Sequence, residues 1–171
     1  MLGDANVVSV PRTGCVVGVF DLFHVGHIDV LERARRQCDR LVVAVLSDEW
    51  ALDAWGARPF VPLPERAQIL EHLRCVDEVI SVDEVVPPGE VATASEMAGT
   101  SEIVAVGDVL PEWLTGVHTV FAASAMDGVL SVAELDRMPP ALLTILPAGR
   151  TSRSPILRAA IDQRQSRSSV A

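Results

Sequence analysis

Short β-branched apolar runs alternate along this chain with stretches whose apolar positions recur at helical spacing. Cys15–Phe20 (CVVGVF) has the continuous apolar character of a buried strand. From Gly26 to Cys38, the residues Ile28, Leu31, Ala34 and Cys38 recur at helical spacing, leaving Glu32, Arg33, Arg35 and Arg36 for the other side. Arg40–Ser47 (RLVVAVLS) reads as a second buried strand. Pro64–Arg74 predicts a helix with proline near its start and Ile69, Leu70 and Leu73 on one side. Val76–Val82, Ile103–Gly107 and Leu142–Leu146 read as further strands, and Ser154–Arg164 as a closing helix. Pro87 and Pro88 interrupt the stretch 85–100, which reads as a loop followed by a helix. The stretch 117–140 is expected to hold an extra strand at Val117–Phe121 and a mobile insertion around Asp127–Pro139.

Strand, helix, strand, helix, strand in this rhythm implies parallel pairing through crossover helices, an open α/β sheet. A single domain over residues 1–171 is expected, with an N-terminal extension at about 1–13 and a flexible tail at about 165–171. In such sheets ligands bind beyond the carboxyl ends of the strands, where the strand order reverses. The residues that follow each strand therefore carry the candidate chemistry.

Composition narrows that chemistry. Apolar residues make up 49% of the 171 and charged residues 22%, the profile of a globular protein. No apolar run is long enough to span a bilayer, and the N-terminus shows no signal or transit pattern, so a cytoplasmic location is expected. All 14 basic residues are arginine. The absence of lysine excludes a P-loop lysine, a Schiff base and a lysine general base, and the absence of tyrosine removes a tyrosine acid or base. A formal charge of −9 argues against nucleic acid or an anionic membrane as partner. From Arg150 onward, however, five arginines face one aspartate, a local cluster suited to a small anionic ligand. Beyond Arg158 those charges read as a solvated helix face. Cys15, Cys38 and Cys75 fit no metal-binding or CxxC spacing and read as reduced, mostly buried thiols.

The first strand runs directly into Gly18-Val19-Phe20-Asp21-Leu22-Phe23-His24-Val25-Gly26-His27, and a helix follows. Amide groups at a helix N-terminus, together with the helix dipole, favour a phosphate. Gly26 allows the backbone to approach such a ligand closely. His24 and His27, three positions apart, converge on one bound group and would donate hydrogen bonds to charge developing on an attacked α-phosphate. A competing reading gives the two histidines a shared metal ion, but no third ligand is evident.

This stretch resembles the GxFDxxHxGH signature of the cytidylyltransferase-like nucleotidyltransferases. Val42–Trp50 (VVAVLSDEW) is similar to that family's second strand with its Asp-Glu. Pro64-Glu65-Arg66 with Leu73–Val79 (LRCVDEV) resembles its ER…RYVDEV segment through Arg66, Arg74, Asp77 and Glu78. Gly107-Asp108 and Gly149–Ile156 (GRTSRSPI) resemble its Gly-Asp pair and its terminal RTxGISTTxI motif. The fold implied is a Rossmann-like open parallel sheet with helices on both faces. Within the family the likeness is nearest to the glycerol-3-phosphate cytidylyltransferase branch.

The resemblance implies transfer of CMP from CTP to a small phosphorylated acceptor, a phospho-alcohol, with pyrophosphate and Mg2+ leaving together. His24, His27 and Arg150 would be catalytic. Val19, Phe20, Asp21, Gly26, Gly107, Asp108, Thr151, Ser152 and Ser154 would bind the nucleotide. Arg58, Arg66, Arg74 and Asp77 would bind substrate, and no metal would be held by protein side chains alone. Arg66, Arg74 and Asp77 also admit a plainer reading as structural ion pairs. A homodimer is implied, without nucleic acid or membrane insertion.

Three departures from the family pattern stand out. Trp55 falls where the family places a lysine, leaving Arg58 as a substitute cation; Val19 replaces a threonine; and the terminal motif lacks its Gly-Ile, bringing Arg153 close behind Arg150. Two alternatives follow: adenylyl transfer from ATP to a sugar phosphate or related acceptor, or a nucleotide-binding protein of this fold with weakened catalysis.

Overall fold

Apolar strands separated by helices can pair side by side only in parallel, and every pairing in the sheet is parallel. The computed structural model describes residues 11–83, 112–123, 129–131, 135, 140–147, 149 and 159. Over them the chain forms β1 (Thr13–Gly18), α1 (Val25–Arg35), β2 (Arg40–Leu46), α2 (Asp48–Trp55), α3 (Leu63–Glu71), β3 (Glu78–Val82), β4 (Thr119–Ala123) and β5 (Leu143–Leu146), with 3₁₀ turns at Glu112–Leu114 and Pro140–Leu142. The strand order is β3-β2-β1-β4-β5. Strand order therefore reverses at β1, which has β2 on one side and β4 on the other. The register places Gly18 opposite Val45 and Val45 opposite Ser81, so β1, β2 and β3 end along one edge.

Alternation along β1 divides the core in two. Cys15, Val17 and Val19 pack on one face with Ala51, Leu114, Leu130 and Leu135. Val16 and Phe20 pack on the other with Val30, Leu31, Ala34 and Leu70 of α1 and α3. Helices thus cover both faces, as the Rossmann-like reading requires. Fully buried leucines such as Leu31 and Leu70 each contribute about 1.5–3 kcal/mol relative to an exposed position. Among the described residues no helix is long and apolar enough to cross a membrane.

The structure moves several expected boundaries. β1 ends at Gly18 rather than Phe20, because Phe20 (φ 56°) and Leu22 (φ 47°) adopt left-handed backbone that no strand accommodates. α1 stops at Arg35, where Arg36 caps it with helical dihedrals. α2 was not expected: 54–59 read as loop, whereas Ser47 caps a helix that runs to Trp55 and is closed by Gly56 at φ 74°. The expected extra strand at Val117–Phe121 is β4, and it sits beside β1. Around Asp127–Pro139, Val129 bridges Gly18, and Val129, Leu130 and Leu135 are buried, so these residues belong to the core rather than to a mobile insertion. The strand expected at Ile103–Gly107 lies outside the described residues, as does nearly all of the helix expected at Ser154–Arg164.

Candidate active site

Between the end of β1 and the start of α1 the chain makes its sharpest change of direction. Phe20 and Leu22 hold positive φ on either side of Asp21, conformations that cost of order 1–3 kcal/mol each and persist only where the surroundings fix them. Asp21 supplies that fixation. Its buried carboxylate accepts the amide N–H groups of Phe60 and Val61, both at 3.0 Å. Arg66, also buried, completes the frame. Its guanidinium donates to the carbonyls of Val61 (2.8 Å), Leu46 (3.0 Å) and Val19, and pairs with Asp48. The ends of β1 and β2, the start of α2 and the 60–62 turn are thereby tied at one point.

On that frame stand the two histidines. His24 is the N-cap of α1, and its Nδ1 accepts the N–H of Gly26 at 3.1 Å. His27 Nδ1 accepts the N–H of His24 at 3.4 Å. The two imidazoles form a reciprocal cap, a histidine version of the capping box. Their rings stack with centroids 3.9 Å apart and planes inclined by 18°. Phe20 and Phe23 flank the His27 ring at 5.5 and 5.3 Å. Because each Nδ1 receives an N–H, the neutral rings carry their proton on Nε2, on the far side of the imidazole. The cap thus fixes both tautomers as Nε2–H donors at the positive end of a helix dipole. The site lies beside the β1/β4 boundary where strand order reverses, the position at which open α/β sheets bind ligands.

The pattern that defines Cytidylyltransferase-like proteins matches residues 15–135. The chain belongs to that family. This cytidylyltransferase-like chain is 41% identical to the bifunctional protein HldE of Halorhodospira halophila over 114 residues, 66% of the chain and 23% of that protein. It is 46% identical to the FAD synthase of Thermococcus sibiricus over 63 residues, 37% of the chain and 43% of that protein. The matched stretch thus spans less than half of either relative. A lipopolysaccharide core biosynthesis protein from Thermoplasma volcanium shares the fold, with a TM-score of 0.56 and 20% identity over 84% of this chain and 100% of that one.

The remaining expected residues of the cytidylyltransferase-like site divide into three groups. Val19, Phe20 and Asp21 support the site from beneath: Val19 and Phe20 are core side chains, and the Asp21 carboxylate is committed to two amides. Gly26 is buried, and its N–H serves the His24 cap. Arg66 was expected on substrate, but it is 1% exposed with its guanidinium turned to backbone carbonyls and Asp48, so its place is structural.

Arg74 and Asp77 lie at the opposite edge of the sheet. The Asp77 carboxylate accepts the N–H of Leu41 at 2.7 Å and pairs with Arg35 at 3.5 Å. Leu41 is at the start of β2 while the histidines follow strand ends, a separation of about 17 Å along a strand. Arg74 lines a cavity of about 670 Å³ beside Arg35, Arg36, His72 and Cys75. The structure therefore corrects their expected substrate contacts, because β3 begins where β1 and β2 begin. Arg58 stands on the near edge and pairs with Glu49 at 3.0 Å.

Gly107, Asp108, Arg150, Thr151, Ser152 and Ser154 lie outside the described residues. Gly149, which precedes the terminal motif, rests against α1: a Cβ there would fall 2.1 Å from Asp29 Oδ2 and 2.6 Å from Arg33 Nη1. Sequence reasoning missed the frame made by Asp21, Val61 and Arg66. A buried arginine looks the same in sequence as a ligand-binding one.

Among the described residues no three His, Cys, Asp or Glu side chains cluster to hold a metal ion. That set suits a cation that arrives on the phosphates of a nucleotide and keeps most of its water, as magnesium does. It does not suit a caged zinc.

Proposed function

We propose that this chain is an active nucleotidyltransferase that joins a nucleoside monophosphate to a phosphate oxygen of a small acceptor. In this reading the acceptor oxygen attacks the α-phosphorus of a nucleoside triphosphate. The new P–O bond forms as the bond to the β-phosphate bridging oxygen breaks, and pyrophosphate leaves with the electron pair. The chain supplies position and charge stabilisation, with no covalent intermediate. The observation that carries the reading is the stacked His24–His27 pair, held as two Nε2–H donors at the N-terminus of α1. Arg150, Thr151, Ser152 and Ser154 are proposed to hold the β- and γ-phosphates, and Gly107 and Asp108 the base or ribose.

Adenylyl transfer from ATP is the leading form of the proposal, supported by the likeness to an FAD synthase and to HldE proteins, whose family members include adenylyltransferases. The CTP reading rests on the Arg74-Cys75-Val76-Asp77-Glu78 segment. Magnesium would neutralise the triphosphate when bound, and homodimer formation is part of the same proposal.

Pyrophosphate release with magnesium, ATP or CTP, and a panel of phosphorylated acceptors tests it, with a His24→Ala/His27→Ala double variant as the blank. Release above the blank with one pair names both substrates. No release, and no protection against heat by either nucleotide, overturns the reading.

A further inference from the structure

Four of the six large apolar side chains most exposed among the described residues gather at the carboxyl-end edge of the sheet: Val25, Leu52, Trp55 and Phe60, at 59, 39, 40 and 36%. The other two, Ile69 and Ile145, sit apart on α3 and β5. Val25 follows His24 directly. Phe60 donates its N–H to Asp21, the residue next to the Phe20 ring that contacts His27. Trp55 ends α2, and its ring stands edge-on to Trp50 at 5.7 Å and 79°. Trp50 in turn packs on the core, so the Trp55 face is supported from behind. The turn that carries Phe60 is rigid, since Val61 is held through its N–H by Asp21 and through its carbonyl by Arg66.

Charge on this segment points the same way. The one arginine between α2 and α3, Arg58, is paired with Glu49, and Asp53 adds a further negative charge. A small polyol phosphate has little besides charge by which to be held, and this rim offers it little positive charge. A supported apolar rim beside a phosphate-transfer site recognises a flat, apolar body instead.

We infer that Trp55 and Phe60 form the acceptor platform, and that the acceptor is a phosphomonoester carrying a planar aromatic ring system. This deepens the transfer reading above and rests on it for the fate of the bound acceptor. The ring lies on Trp55 and Phe60 while its phosphate reaches toward the His24–His27 pair. Stacking on one aromatic side chain is worth enough to separate ring-bearing from ringless acceptors by about tenfold or more.

The test measures equilibrium binding of flavin mononucleotide, phenyl phosphate and glycerol 3-phosphate by calorimetry, with pyrophosphate release followed in parallel. The two ring-bearing probes should bind at least about tenfold more tightly than glycerol 3-phosphate. Trp55→Ala and Phe60→Ala should erase that preference, and Trp55→Phe should restore most of it. A merely structural role for Trp55 would weaken all three ligands alike. Equal affinities, failure of all three to bind, or loss of nucleotide binding in Trp55→Ala with the acceptor preference intact would overturn the inference. Ring-selective binding without pyrophosphate release would support the platform and count against the transfer reading, so the two fail separately.

Discussion

Asp21 and Arg66 grip opposite sides of one residue: the carboxylate takes the N–H of Val61 at 3.0 Å and the guanidinium donates to its carbonyl at 2.8 Å. Through that shared partner an acid after β1 and a base on α3 set the position of the turn beside the histidine pair. Both are almost wholly buried, so neither is available to a ligand, and both shape the site by holding its walls.

Replacing Arg66 should therefore lower stability more than it changes substrate affinity. Arg66→Ala leaves the Asp48 carboxylate and the carbonyls of Val19 and Leu46 without their donor, a loss of about 3–5 kcal/mol in urea unfolding. Arg66→Lys should recover only part of it, since an ammonium lacks the planar fork that spans these acceptors. A stable Arg66→Ala protein with a raised KM for acceptor would return Arg66 to the substrate site.

His27→Ala should reduce turnover by about 10²- to 10³-fold while the fold persists. The rings of His24 and His27 stack, and each cap bond fixes a tautomer, so His24→Ala should cost a comparable factor. Steady-state pyrophosphate release measures both. A loss below tenfold would remove His27 from the chemistry.

Gly14 has no room for a side chain. A Cβ would meet the Phe121 ring at 2.5 Å and Cys38 Sγ at 3.0 Å, both inside the core. Gly14→Ala should destabilise by about 1–3 kcal/mol in denaturant unfolding. Phe121→Leu in the same chain should offset part of that loss through coupling of touching residues.

Alkaline pH should unfold this protein through its thiols. Burial pushes the Cys15 thiol from an ordinary 9.0 up to about 12, against a hydrogen bond with the Ala44 backbone, and burial also raises Cys38 and Cys75. Above pH 9 the unfolded chain releases thiol protons that the folded chain retains. Stability is therefore full below that pH and declines as pH rises toward about 12. With no lysine and no tyrosine, the three cysteines carry the side-chain titration in this window. Unfolding midpoints should fall through this range, and Cys15→Ala should flatten the slope whatever it does to absolute stability. An unchanged slope in Cys15→Ala would exclude Cys15 as the group responsible.

Much of the architecture was legible because apolar runs and helical spacing report burial directly. β2, with Leu41–Leu46 all buried, falls within one residue of its expected bounds. α2 was legible in principle, since Ser47, the acidic pair Asp48-Glu49 and Gly56 are start and stop signals. Attention to the residue at position 55 as a replaced lysine obscured them. The histidine pair was legible from its spacing. The remoteness of Arg74 and Asp77 was not, because linear order gives no distance across a sheet.

The sequence by itself determined the α/β class, the parallel pairing and the His24–His27 pair, because these follow from local periodicity, helix capping and residue spacing. Only the tertiary structure decided that β4 lies beside β1, that Arg66 is a buried tie and Arg74 a distant surface residue, and that Trp55 and Phe60 stand at the rim of the histidine site. Those outcomes depend on which strand edges meet and which side chains the closing core excludes from water, relations between residues far apart in the chain.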